Sequence, residues 1–316
     1  MSATRAQAQT VARQRDETHV RRLNLGKWGT IGLFLLPGML LFILFVLVPI
    51  VKAAQYSLYD WNGFGPLTDF VKWDNYQRLY DHKPFRSAIN HSFFIMLLSL
   101  SVQLPLAMML ALLVGRGKLR GRKIFRMILF VPFVFSEIIT AIIWMYVFHP
   151  GEGLANVAFG TLIPGFESQT WLGDRDLVMY SLFAVLTWKY FGFYMILYMA
   201  GLQGVSKELE EAARVDGANE LQVLRYITLP LLGSTIRLTI YLSVLGSFQQ
   251  FAIAWILTRG GSPANSSHLI STYLYRFGIK TFRLGYGSSV AVVLFSISLL
   301  FSLGYQRIVL RRDYAD

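Results

Sequence analysis

Residues 28–51 read WGTIGLFLLPGMLLFILFVLVPIV, a run of 24 residues that contains no charged side chain. A helix needs about 20 mostly apolar residues to span a bilayer, so this run is long enough to cross a membrane. The composition of all 316 residues agrees, because 54% are hydrophobic and only 15% are charged. Soluble domains carry about 25% charged residues. The sequence therefore argues against a soluble enzyme and predicts a protein that is largely surrounded by lipid.

Further apolar stretches of similar length follow the first one. Together they predict six transmembrane helices, at about 28–51, 90–115, 127–148, 177–205, 231–257 and 284–305. We therefore expect an all-α polytopic membrane protein with a six-helix domain at 28–308. Short tails at 1–27 and 309–316 flank this domain, and the connecting loops leave little room for a soluble one.

Basic residues are unevenly distributed among the segments that connect the predicted spans. The N-terminal tail, the C-terminal residues from Gln306 onward and the links 116–126 and 204–230 hold 18 Lys and Arg in about 76 residues, whereas the other three loops hold 10 in about 89. Because Lys and Arg accumulate on the cytoplasmic side of membranes, we expect both termini in the cytoplasm. The membrane topology then accounts for the net charge of +12. We also expect the basic residues to contact membrane lipid, and we expect no nucleic-acid partner.

The sequence contains no pattern that is typical of an active site. Cysteine is absent, the five histidines are scattered, and no glycine-rich loop ends in Lys-Ser or Lys-Thr. We therefore expect no catalytic residue, no metal and no cofactor on this chain. If ATP drives transport, its hydrolysis is expected on a separate chain.

A polar stripe interrupts the fifth predicted span. Ser243, Ser247 and Gln250 occur at i, i+4 and i+7, on one face of an otherwise apolar helix. Because polar side chains are costly in lipid, this face must contact protein or water. The stripe indicates either hydrogen bonds between helices or a pocket whose hydroxyl and amide groups match the hydroxyls of a sugar.

Three charged residues lie inside predicted spans: Arg237 near the start of the fifth, where it is expected to reach the membrane surface, Glu137 in the third and Lys189 in the fourth. Such residues are expensive in a membrane and are usually paired or functional. For Glu137 and Lys189, one hypothesis is a buried ion pair between them, and another is that they line a transport pathway. A third is a secondary transporter or channel in which they couple transport to protons or ions.

Residues 206–230 read SKELEEAARVDGANELQVLRYITLP and lie between spans four and five. Ser206 is a suitable N-cap for a helix with acidic residues in its first turn, and Gly217 favours a turn before a second helix. A short acidic helix with the small residues Ala212 and Ala213 suits insertion into a partner's cleft, or packing on its own bundle.

This segment resembles a family motif. Its residues match the EAA loop of permease subunits of bacterial ATP-binding-cassette importers at Glu211-Ala212-Ala213, Asp216-Gly217-Ala218 and Ile227-Thr228-Leu229-Pro230. Residues 258–263 read TRGGSP and are similar to the Leu-Thr-x-Gly-Gly-Pro signature of the maltose/glycerol-phosphate carbohydrate branch, with Ser262 inserted. The chain thus resembles a carbohydrate-importer permease with the type I ABC importer fold.

The resemblance implies a complex in the bacterial inner membrane. This chain would pair with a second permease subunit, two ATPase subunits that bind ATP and Mg, and an extracytoplasmic solute-binding protein that delivers a carbohydrate. It implies coupling to the ATPase through Glu211, Ala212, Ala213, Asp216, Gly217 and Ala218. It implies substrate binding by Ser243, Ser247, Gln250, Lys189, Tyr190 and Phe193, although Lys is not the family's usual residue at the fourth of these positions.

The first long loop, residues 52–86, carries nine aromatic residues. It indicates either an aromatic belt at the membrane interface or a docking surface for an extracytoplasmic partner. The second interpretation leaves a membrane receptor or scaffold as an alternative to the importer. The EAA helix argues against this alternative and against the stand-alone transporter.

Overall fold

The computed structural model describes residues 26–115 and 121–309. Three predicted segments lie wholly or mostly outside these residues: the tail 1–27, the tail 309–316 and residues 116–120 of the basic link 116–126. The chain divides into two units, residues 1–55 and residues 56–316, and each is described by itself.

The described residues form helices joined by turns, with one isolated bridge between Tyr59 and Phe70 and no named strand. The all-α prediction is therefore confirmed for this part of the chain. In order, the helices are α1 (Gly26–Tyr56), α2 (Asp74–Asp81), α3 (Lys83–Gly115), α4 (Arg122–Val134), α5 (Glu137–Val147), α6 (Leu154–Leu162), α7 (Val178–Gln203), α8 (Lys207–Val215), α9 (Glu220–Leu231), α10 (Gly233–Gln249), α11 (Ala252–Leu257), α12 (Ile270–Leu274) and α13 (Leu284–Ile308).

Four helices in the described ranges, α1, α3, α7 and α13, are long and apolar enough to cross a membrane without a break. Two further candidates are bent pairs, α4 with α5 at 99° and α9 with α10 at 69°. Counting each bent pair as one span gives the six predicted spans, but two of them are not the continuous helices that were expected.

The break between α4 and α5 has a local cause. Pro132 lacks the N–H that would continue the helical ladder, and Phe135 is extended, with φ −60° and ψ 147°. The Ser136 side chain then caps the new helix by accepting the N–H of Ile139 at 3.2 Å. Proline, extended residue and N-cap together turn the predicted span 127–148 into two half-helices.

The predicted span 231–257 is also discontinuous. It bends at Leu232, and α10 ends at Gln250, whose φ of −60° and ψ of 119° are extended. Phe251 separates it from the short helix α11. The last residue of the predicted polar stripe therefore lies at a helix end, where its backbone is free of the helical ladder.

Helix α7 lies at the centre of the second unit and packs against α3, α4, α5, α10 and α11. At one end, Leu182 and Val185 of α7 join a core with Leu257 and Leu269. Further along, Met195, Tyr198 and Leu202 pack with residues of α3 and with Leu232. A third core joins α2, α3, α10, α12 and α13. Such buried clusters fix the inner faces of these helices around the site.

Helix α1, taken by itself, has exposed apolar side chains on all sides over most of its length. A helix that is hydrophobic all round is typical of a membrane span, which agrees with the prediction for residues 28–51.

Candidate functional site

A cavity of about 280 Å³ lies between α3, α5, α7 and α10. Its polar lining consists of Ser99, Gln103, Glu137, Tyr190, Tyr194, Ser243, Ser247, Gln249 and Gln250. The apolar part includes Ile95, Phe183 and Leu186. The whole predicted stripe of Ser243, Ser247 and Gln250 therefore faces one space, at the level where α10 ends and close to the start of α5.

Hydrogen bonds hold the serines of this wall in place. The Ser243 hydroxyl lies 2.8 Å from the Ser99 hydroxyl of α3, and Ser99 in turn donates to the Gln103 side-chain oxygen. Gln103 then donates to the Leu186 carbonyl of α7 at 3.0 Å. Ser247 donates to the Ser243 carbonyl one turn earlier, at 2.8 Å. Interhelical hydrogen bonding and cavity lining, posed as alternatives by the sequence, thus occur together.

Gln250 carries a buried side-chain donor at this wall. The residue is 8% exposed, and its amide also faces the Tyr190 hydroxyl. Within the described residues, however, no acceptor meets the distance and angle of a hydrogen bond to its Nε2 atom. A buried donor without an acceptor raises the free energy of the folded protein. This amide is therefore suited to donate a hydrogen bond to a solute.

Glu137 begins α5 and faces the cavity. Its Oε1 atom accepts a hydrogen bond from the Tyr190 hydroxyl at 2.6 Å. A carboxylate in the first turn of a helix is also favoured by the helix dipole. Two elements, the start of α5 and the middle of α7, thus hold one carboxylate at the cavity.

Lys189 does not face the cavity. Its ammonium donates to the carbonyls of Pro132 at 3.2 Å, Phe133 at 2.8 Å and Phe135. These carbonyls lie at the broken end of α4, where the helix supplies no N–H for them. Glu137 and Lys189 therefore do not form the direct ion pair that one hypothesis expects, although the two charges attract each other at longer range.

Phe193, the remaining predicted pocket residue, also lies off the cavity lining. Its ring stacks on Phe133 with centroids 4.9 Å apart. Of the six residues predicted for the pocket, the structure brings Ser243, Ser247, Gln250 and Tyr190 together and places Lys189 and Phe193 against α4.

The segment after α7 has the predicted shape of helix, turn and helix. Ser206 caps α8 by accepting the N–H of Glu208 at 3.2 Å. Gly217 has a φ of +87°, which disfavours residues with a Cβ. Asn219 and Gln222 then form a capping box at the start of α9.

An exposed ion pair spans this turn. The Arg214 guanidinium donates to both carboxylate oxygens of Glu220, at 2.8 and 3.1 Å. These bonds raise the pKa of Arg214 above its usual value. The pair holds the end of α8 against the start of α9.

The predicted coupling residues are accessible. Glu211, Ala212, Asp216 and Gly217 are exposed, and Ala213 and Ala218 are half-buried. The neighbouring apolar side chains Val215 and Leu221 are 87% and 72% exposed. Small, acidic and apolar groups thus form one surface that this chain leaves uncovered.

The opposite face of α8 is tied to α9. Glu210 is buried, and its carboxylate accepts a hydrogen bond from the Thr228 hydroxyl at 2.7 Å. A charge-assisted bond of this kind is stronger than a neutral one. It holds α8 on the end of α9 while its coupling residues stay exposed.

Residues 103–313 match the protein family described as binding-protein-dependent transport system inner membrane component. The chain belongs to this family. The match includes α7, the whole α8–α9 segment and the polar stripe of α10, so most of the site described above lies inside the family domain, whereas Ile95 and Ser99 of α3 precede it.

Individual family members resemble the chain over most of its length. It is 32% identical to the diacetylchitobiose uptake system permease protein of Streptomyces coelicolor, over 83% of this chain and 77% of that protein. It is 31% identical to the arabinooligosaccharides transport system permease protein of Bacillus subtilis, over 86% of this chain and 85% of that protein.

Solved structures support the fold of this family member. A chain in the crystal structure of a bacterial alginate ABC transporter, in complex with an alginate pentasaccharide-bound periplasmic protein, superposes with a TM-score of 0.78. The superposition covers 90% of this chain and 95% of that chain at 22% identity. The predicted ABC importer permease fold is confirmed.

Sequence reasoning missed the contribution of α3 to the permease cavity. Ser99, Ser101 and Gln103 are polar residues in an otherwise apolar stretch, and Ser99 and Gln103 are about one turn apart. That spacing of four residues was a usable signal, because it is half of the stripe found in α10. Tyr194 carried no such signal, since aromatic residues are common in spans.

Proposed function

We propose that this family member is the permease subunit of an ATP-driven, binding-protein-dependent sugar importer. It would form half of the translocation pathway and couple to an ATPase through the surface of α8. One observation carries the proposal: the continuous segment α9–α10 connects the exposed acidic helix α8 to the polar cavity.

The solute is proposed to be a saccharide. The wall of the cavity offers hydroxyl and amide groups beside the rings of Tyr190 and Tyr194, and sugars need many donors and acceptors near an aromatic face. The relatives from Streptomyces coelicolor and Bacillus subtilis, named for diacetylchitobiose and arabinooligosaccharides, support this class of solute. Ser243, Ser247, Gln250 and Tyr190 are the proposed contacts.

Coupling is proposed to run through Glu211, Ala212, Ala213, Asp216, Gly217 and Ala218. The exposed surface around them combines small side chains, which permit close approach, with the apolar Val215 and Leu221. Such a surface fits a cleft of a cytoplasmic ATPase subunit.

The full complex would contain a second permease subunit, two ATPase subunits and an extracytoplasmic solute-binding protein. ATP and Mg would bind to the ATPase subunits, and this chain would carry no catalytic residue. We place it in the bacterial inner membrane with both termini in the cytoplasm, as the distribution of Lys and Arg supports.

The proposal is tested by purifying the tagged chain from its native membrane in mild detergent. We expect an ATPase subunit and a second permease to co-purify, and we expect Glu211→Lys to abolish sugar uptake while the chain stays in the membrane. A chain that purifies alone and transports in liposomes without ATP would instead establish the secondary transporter. Glu208→Lys, in the first turn of the same helix, is the matched control.

A further inference from the structure

The wall of the cavity between α3, α5, α7 and α10 carries a negatively charged side chain. Among its lining residues in the described part of the chain, Glu137 is the one with a charged side chain, and the other polar groups are hydroxyls and amides. No Lys, Arg or His of this part lines it. Among the described residues, a solute in this space therefore contacts one carboxylate and no cation.

Lys189 directly precedes Tyr190 in the sequence, but its ammonium is bound by backbone carbonyls and does not line the cavity. Lys189 is 3% exposed, and its three donors are taken up by the carbonyls of Pro132, Phe133 and Phe135. An ammonium has three N–H donors, so none remains for a solute. The Lys189 ammonium is therefore directed to α4, whereas the adjacent residue, Tyr190, lines the cavity.

The carboxylate of Glu137 keeps capacity for a ligand. Its Oε1 atom accepts from Tyr190 at 2.6 Å, and within the described residues no hydrogen bond to Oε2 is present. An ionised carboxylate can accept about four hydrogen bonds. On the same cavity, Gln250 carries the buried Nε2 donor that lacks an acceptor.

These two groups complement adjacent hydroxyls of an uncharged sugar. Hydroxyl groups can donate to a carboxylate and accept from an amide at the same time. A carboxylate or sulfonate on the solute could do only the second, and its charge would lie close to that of Glu137. Like charges repel each other, more so at a half-buried group than in bulk water.

We propose that Glu137 is a specificity-determining residue that makes this half of the pathway selective for uncharged saccharides over acidic ones. It does so by accepting hydrogen bonds from solute hydroxyls while Gln250 donates to a neighbouring oxygen. This inference rests on the proposed function as a sugar-importer permease, and it adds the charge class of the sugar.

The first part of the test identifies the charge of the solute. A deletion strain and its complemented parent are compared for uptake of labelled neutral di- and trisaccharides and of their uronate counterparts. We expect the deletion to remove uptake of an uncharged sugar. Loss of uptake for a uronate would overturn this inference alone. A deletion that changes no uptake would refute the importer function and this inference with it.

The second part tests the residue. Glu137→Gln keeps the shape and the acceptor for Tyr190, so the protein should assemble normally. Because hydrogen bonds to a charged group are worth more than neutral ones, we expect uptake at saturating sugar to fall about tenfold. Glu167→Gln, the same change in an exposed loop, should leave uptake unchanged. Equal uptake by the two variants, at equal abundance in the membrane, would overturn the role of Glu137.

Discussion

The ammonium nitrogen of Lys189 lies 2.8 Å from the carbonyl oxygen of Phe133, at the point where α4 ends. The two adjacent contacts, to Pro132 and Phe135, make Lys189 a cap for the broken helix. Cations near a helix C-terminus are favoured by the helix dipole. A charged residue that the sequence suggested for a solute or an ion pair thus stabilises backbone instead.

Removing this cap should lower the stability of the permease without changing a residue that lines the cavity. Lys189→Met leaves carbonyls of α4 without donors, and unsatisfied buried groups cost about 1–3 kcal/mol each. We expect a lower unfolding temperature of the purified complex and faster proteolysis between α4 and α5. Lys123→Met, an exposed change at the start of α4, is the control. Equal unfolding temperatures for the two variants would contradict the capping role.

The turn after α8 should tolerate asparagine and reject β-branched residues. Gly217 has a φ of +87° and open space around the position of a Cβ, so backbone conformation alone decides the outcome. Asn adopts such angles far more readily than Val. We expect Gly217→Val to reduce sugar-stimulated ATPase activity of the complex at least severalfold, and Gly217→Asn to retain most of it. Similar losses in both variants would show that the turn is not the reason for the glycine.

The bond between Glu210 and Thr228 should control how firmly α8 is held. Thr228→Val removes the hydroxyl that donates to the Glu210 carboxylate at 2.7 Å. Since bonds to charged groups contribute about 1.5–3 kcal/mol, we expect faster amide hydrogen exchange in residues 207–215. Thr228→Ser keeps the hydroxyl and should exchange like the parent protein. Unchanged exchange in the valine variant would mean that other contacts hold the helix.

Acid should destabilise the loop that follows α11. His268 is fully buried, and burial, followed by the charges of Arg276 and His91, lowers its pKa from 6.5 to about 4. The unfolded chain therefore binds a proton below about pH 6.5, which the folded chain resists until about pH 4. Stability is expected to fall by up to roughly 3 kcal/mol as pH drops through this window.

The measurement is the unfolding temperature of the purified protein in detergent between pH 7 and pH 4. His268→Gln should flatten the dependence in this range. A parallel change, Gly261→Ala, should destabilise at all pH values, because a Cβ there would lie 2.2 Å from the His268 ring. An equally steep pH dependence in the glutamine variant would assign the effect to another group.

Much of the site was predictable because it depends on local patterns. The stripe of α10 follows from helical spacing, and the coupling turn follows from Ser206, Gly217 and the acidic residues between them. The orientation of Lys189 was not predictable in this way. Its partners are backbone carbonyls, which leave no trace in the side-chain sequence.

The separation of Lys189 from Tyr190 has a geometric cause. The two residues are adjacent, and successive residues of an α-helix point about 100° apart. The family resemblance implies one pocket for both, whereas in the structure Tyr190 lines the cavity and Lys189 contacts carbonyls of α4. The break after Val134 was signalled by Pro132 and Ser136, yet a proline inside a span is often accommodated without a break, so residue types alone could not decide.

The bond from Thr228 to Glu210 has a mechanical consequence. From Thr228 to Gln250 the chain is helical except at the bend near Leu232, and helices are stiff along their axes. If α8 is the coupling helix, as proposed above, a displacement of α8 would reach Gln250 through one continuous segment that bends by 69° between α9 and α10. The surface of α8 and the lining of the cavity would then be connected by the polypeptide backbone itself.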